Sequence, residues 1–124
     1  MPGSLVPLVM LPRYTTYTGQ VEFTTIGMDV TKYETAILSV WRGRLGGAGT
    51  VQITCEESTD SGGVAGSWSP CSGTNTQNFD PGEEAEAQVT ATLTKRWFRL
   101  RVALTGTNPQ VTCWAVGFLE DREE

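Results

Sequence analysis

The stretch Arg96–Gly106, "RWFRLRVALTG", decides the fold class. Phe98, Leu100, Val102 and Leu104 recur at every second position, with Trp97, Arg99 and Arg101 between them. A period of two sends one set to a core face and the other to the outer face of a half-buried strand. On a helix the same apolar residues would be spread around the axis.

The pattern repeats outward in both directions. "TAILSVWRG" places Ala36, Leu38 and Val40 on one face and Ile37, Ser39 and Trp41 on the other. "TVQITCEE" sends Val51, Ile53 and Cys55 inward and Gln52, Thr54 and Glu56 outward. "AQVTATLT" does the same with Val89, Ala91 and Leu93, and Thr94-Lys95 reads as a tight connection to the next strand. In "VTCWAVGFLED" the bulk of Trp114, Val116 and Phe118 predicts that these face inward and Cys113 outward. A helix over "PGEEAEAQVTATLTKRW" is the rival, started by Pro81 and an acidic first turn. The threonine alternation of Val89–Thr92 favours a strand. About eight such segments, joined by polar turns, predict an all-β antiparallel sandwich of jelly-roll type.

The first residues differ. Prolines at 2, 7 and 12 forbid a helix, so residues 1–13 read as an extended N-terminal arm ahead of a sandwich at 14–120 and a charged tail at 121–124. Leu5, Val6, Leu8, Val9, Met10 and Leu11 need cover. Two readings are open: a first strand packed on its own domain, or an arm laid on a neighbouring subunit. The run lacks a basic start and a small-residue cleavage site, so a signal peptide is not expected, and it is too short to span a membrane.

Composition narrows the chemistry. The chain has 124 residues, a net charge of −5 and no histidine. That size suits one domain with its own core. An acidic chain is a poor nucleic-acid binder, and the lack of histidine removes the commonest general base and metal ligand. No enzyme activity and no cofactor are expected.

"CEESTDSGGVAGSWSPC" joins Cys55 to Cys71. It lacks the ligand spacing of calcium or zinc sites. It reads best as a hairpin connection, with Ser58–Gly63 as the turn and Trp68 on the returning strand. A Cys55–Cys71 disulfide is the other reading, and the odd cysteine, Cys113, argues against a full disulfide framework. "WRGRLGGAGT", with Arg42 and Arg44, precedes a strand rather than a helix and so lacks phosphate-loop geometry. Asp80, Glu83, Glu84 and Glu86 form an acidic loop read as solvated charge. Trp41, Trp97, Arg99 and Arg101 are the candidate partner or ligand surface, since Trp and Arg are enriched where proteins or sugars are gripped.

Three stretches share a layout with a known group: "GMDVTKYETAILSVWRGRLGGAGTVQITCEESTDSGGVAGSW", "EAEAQVTATLTKRWFRLRVALTG" and "NPQVTCWAVGFLE". Together they resemble small β-sandwich virion proteins of tailed phages and prophages, the head decoration or cement proteins and related minor structural proteins, over about residues 20–120. The resemblance implies a non-enzymatic subunit, assembled in the host cytoplasm into a virion. It would bridge the major capsid protein or other virion proteins and form a dimer or trimer. The alternative is a carbohydrate-binding module or receptor-binding part of a phage tail.

Overall fold

The computed structural model describes residues 5–13, 15–18, 21–43, 49–79 and 84–121. Among these, every regular element is a strand, and all pairings are antiparallel. One sheet runs β1 (Leu5–Leu11), β12 (Gln110–Asp121), β5 (Tyr33–Arg42), β10 (Ala85–Thr92), β8 (Ser72–Thr74), with β2 (Thr16–Thr18) also on β12. The other runs β3 (Glu22–Thr24), β11 (Trp97–Leu104), β6 (Val51–Ser61), β7 (Val64–Pro70). Here β4 (Met28–Asp29) extends the β3 edge along β11, and β9 (Thr76–Phe79) pairs with β6 beyond β7.

The eight principal strands are β1, β3 with β4, β5, β6, β7, β10, β11 and β12. Counted in that order, the first sheet reads 1-8-3-6 and the second 2-7-4-5. This is the double winding of a jelly roll, as the alternation predicts. Of the remaining short strands, β2 lies in a stretch rich in strand-forming threonine and tyrosine, while β8 and β9 belong to stretches that read as turns in the sequence.

The two sheets close on a core of alternate residues. Ala36, Leu38 and Val40 of β5 and Val89 and Ala91 of β10 are fully buried in the first sheet, as are Val51, Ile53 and Cys55 of β6 and Phe98, Leu100 and Val102 of β11 in the second. Each large side chain so buried contributes about 1.5–3 kcal/mol before entropy is counted.

Four expectations are corrected. The arm is not outside the sandwich: Leu5–Leu11 is an edge strand of the first sheet, and Leu8 and Leu11 are buried in the common core. Alternation leaves Leu5 and Val9 on the outer face, and a register shift between Val9 and Leu11 lets Leu11 join Leu8 in the core. Second, β12 faces the other way. Val111, Cys113, Ala115 and Leu119 are buried, while Phe118 is 45% exposed and Trp114 and Val116 are half-buried. Both faces of this strand are apolar, so bulk misleads; register decides, because Trp114 lies opposite the outward Trp41. Third, β6 continues through Ser61, and the reversal is a two-residue turn at Gly62 and Gly63, both left-handed with φ of 67° and 93°. Such turns match the strand twist and favour glycine. Fourth, Thr54 and Glu56 lie on the outer face as read but are covered there, so that both are buried. Asp121, expected in the tail, ends β12, and residues 122–124 lie outside the described residues.

Candidate functional site

The candidate surface splits between two faces. Trp41 lies on the outer face of the first sheet, and Trp97, Arg99 and Arg101 on the outer face of the second.

On the second sheet the cations are engaged internally. Arg99 Nε donates to Glu56 Oε1 at 2.8 Å, and its guanidinium lies 4.3 Å from the Trp68 ring centroid. Arg101 pairs with Glu22. Trp97 Nε1 donates to Asp60 Oδ1 at 3.0 Å, and Arg96 reaches Asp29 at 3.2 Å and Asp60 at 3.3 Å. The Thr31 hydroxyl and N–H, followed by Arg96, hold the Asp29 carboxyl below the usual range; the Trp97 indole does the same for Asp60. This ladder crosses the strands and covers Glu56 and Thr54. It is a stabilised outer face whose charged groups already have partners.

The outer face of the first sheet is different. Trp41 and Trp114, opposite each other on β5 and β12, stack with centroids 4.2 Å apart and planes 15° from parallel. The Arg13 guanidinium covers Trp114 at 4.7 Å, and no described residue accepts from the buried Trp114 Nε1. Next along the strands, a groove of about 960 Å³ runs across β1, β12, β5 and β10. Its floor is Ile37, Val116, Phe118, Pro7 and Val9. Ser39, Glu86, Gln88 and Arg13 supply its polar rim. Leu5 and Val9 are 52% and 62% exposed at its open edge.

Of the arm residues, Leu5, Val6 and Val9 are therefore exposed, while Leu8 and Leu11 are committed to the core and Met10 packs against it. Sequence reading missed Trp114, Phe118 and Arg13 as surface residues, and it read Glu86 as loop charge where the residue is exposed on β10. The available signal was the outward parity of Trp41, which its partner strand must share.

All three thiols are free and buried. Cys71 N–H donates to the Cys55 carbonyl at 2.9 Å, so the two are neighbours across β6 and the end of β7 without being bridged, and Cys113 belongs to the other sheet. Burial pushes the Cys55 and Cys113 thiols up to about 12 and raises Cys71 as well. Thiolate chemistry is suppressed at all three positions. Among the described residues no group of three or more His, Cys, Asp or Glu side chains gathers to hold a metal. Arg44, Asp80 and Glu83 lie outside the described residues.

No protein-family model matches the chain, and no curated protein matches it. Among solved structures it is similar to a subunit of the Bacillus endospore appendages, a family of disulfide-linked pili. That likeness has a TM-score of 0.52 and 12% identity, and covers 98% of this chain and 91% of the other. It is also similar to the CBM22-1 xylan-binding domain of Paenibacillus barcinonensis Xyn10C, with a TM-score of 0.52 and 9% identity over 99% of this chain and 88% of the other. At these identities the likeness is one of fold.

Proposed function

We propose that the protein is a non-enzymatic attachment subunit of a virion, a decoration protein that docks on the major capsid protein through the outer face of its first sheet. The observation that carries this reading is the exposed apolar stripe of Leu5, Val9 and Phe118, continuous with the groove over Ile37 and Val116. An apolar stripe of this kind, rimmed by polar residues, is typical of a protein contact. On the opposite outer face Arg96, Arg99 and Arg101 are already paired with carboxylates. The edge itself is blunted by Pro7 in the middle of β1, so the contact uses the face rather than strand addition. Dimer or trimer formation would give the multivalency that shell binding needs.

The test is co-sedimentation with capsids of the phage or prophage that carries the gene. A Val9→Asp, Phe118→Asp double variant should fold, since both positions are exposed, and should lose particle binding at least tenfold. Undiminished binding by the folded variant overturns the reading.

A second reading is carbohydrate binding. It draws on the stacked Trp41–Trp114 pair beside Ser39, Glu86 and Gln88, an aromatic platform with hydrogen-bonding groups. The xylan-binding activity belongs to the structural neighbour; a glycan array on this chain separates the two readings.

A further inference from the structure

Across one end of the first sheet the groups stand in a fixed order. The Arg13 guanidinium covers Trp114, Trp114 stacks on Trp41, and Trp41 faces Glu86 on β10. Between Trp41 and β10 lies a shallow slot of about 360 Å³, lined by Trp41, Trp114, Ala85, Glu84 and Glu86. Glu84 and Glu86 are exposed, and among the described residues no ion pair or hydrogen bond engages either. The stacked pair thus has a cation on one side and two unengaged carboxylates on the other.

We propose that this slot receives a cationic side chain, arginine or lysine, from the surface on which the protein docks. The inference rests on the docking reading above and names the chemistry of the partner. Its logic is charge complementarity. An aromatic face attracts a cation through its quadrupole, and the attraction grows as water is excluded. Arg13 on Trp114 shows that this pair accepts a guanidinium within the same molecule. On the Trp41 side the chain supplies the counter-charge and no described cation. A guanidinium there would lie against the indole and reach the Glu84 and Glu86 carboxylates, which it can grip bidentately. The net charge of −5 adds a long-range attraction for a basic partner. A second copy of this chain would bring the same acidic rim to the contact, which disfavours self-association at this end.

The test uses the whole chain labelled with nitrogen-15 and follows the four indole N–H resonances by NMR. The probe is a tri-arginine peptide, with a tri-citrulline peptide of the same length as the neutral control. The expected result is saturable shifts at Trp41 and Trp114, little change at Trp68 and Trp97, and no response to citrulline. A Glu84→Gln, Glu86→Gln double variant, with its fold checked in the same spectrum, should bind the arginine peptide about tenfold more weakly. Raising salt from 50 to 300 mM should weaken it several-fold. Equal shifts with citrulline, unchanged affinity in the double variant, or shifts spread over all four indoles overturn the proposal. So do Trp41 shifts with xylohexaose and none with the arginine peptide, which would favour the carbohydrate reading instead. If the arginine peptide fails while the protein still co-sediments with capsids, the slot is wrong and the docking reading survives.

Discussion

The Glu57 carboxylate on β6 holds Thr94 in the turn between β10 and β11, accepting the Thr94 N–H at 2.9 Å and its hydroxyl at 3.0 Å. The same carboxylate accepts the Lys95 N–H at 3.2 Å. Glu57 is only 4% exposed, so a strand of the second sheet satisfies, from inside the sandwich, the connection that carries the chain from one sheet to the other. Removing it leaves two backbone donors and a hydroxyl without this acceptor. Glu57→Ala should therefore cost about 2–3 kcal/mol in urea unfolding. Thr94→Val, which loses one bond, should cost about 1 kcal/mol.

The buried thiols set an alkaline limit. Their folded values are raised above the ordinary thiol value of about 8.5. A raised value means the contribution is fully present below the unfolded value and is lost as pH rises through the folded one. Stability should hold up to about pH 8.5 and fall progressively toward pH 12. Circular dichroism melts at stepped pH should show this slope, and Cys55→Ala should reduce it. In the native state all three thiols should resist a thiol-reactive dye that labels them at once in guanidinium.

Gly117 on β12 lies opposite Leu38 of β5. A methyl group there would stand 1.9 Å from the Ile37 carbonyl oxygen, a backbone atom that cannot step aside. Gly117→Ala should destabilise by about 3 kcal/mol, and a drop in melting temperature would report it. Gly63→Ala meets no atom within 4 Å and loses only the left-handed preference, so about 1 kcal/mol is expected.

The Trp41–Trp114 stack should show as a coupling. A double-mutant cycle with Trp41→Ala and Trp114→Ala should return about 1 kcal/mol of interaction energy. The paired band in the circular dichroism of the indoles should vanish in either single variant.

The strands were legible wherever one face is apolar and the other is not. Leu38 and Val40 against Ser39 leave one choice of face, and the same holds for Phe98 and Leu100 against Arg99. β12 was not legible in this way, because Trp114, Val116 and Phe118 compete with Val111, Cys113 and Leu119 for the same interior. Only its pairing with β5 resolves the competition. The candidate surface was half legible for a related reason. Trp41 and Trp97 are both outward on their strands, yet nothing local tells which sheet a strand joins. The internal pairing of Arg99 with Glu56 and Trp68 depends on contacts between strands β6, β7 and β11, which a linear reading does not bring together.

The placement of β12 between β1 and β5 has a kinetic consequence. A ribosome delivers Leu5–Leu11 before its partner Gln110–Asp121, which follows about a hundred residues later, so the edge strand waits through the synthesis of the intervening strands with its leucines uncovered. The second sheet waits as well, since β3 also needs the late β11. Among the described residues the β6–β7 hairpin, closed by Gly62 and Gly63, is the most local pairing and can form early. Contacts this distant in sequence make for slow folding. A nascent chain of this protein is thus exposed to premature association through its own first strand, and a holding chaperone on residues 5–11 would be its natural safeguard during translation.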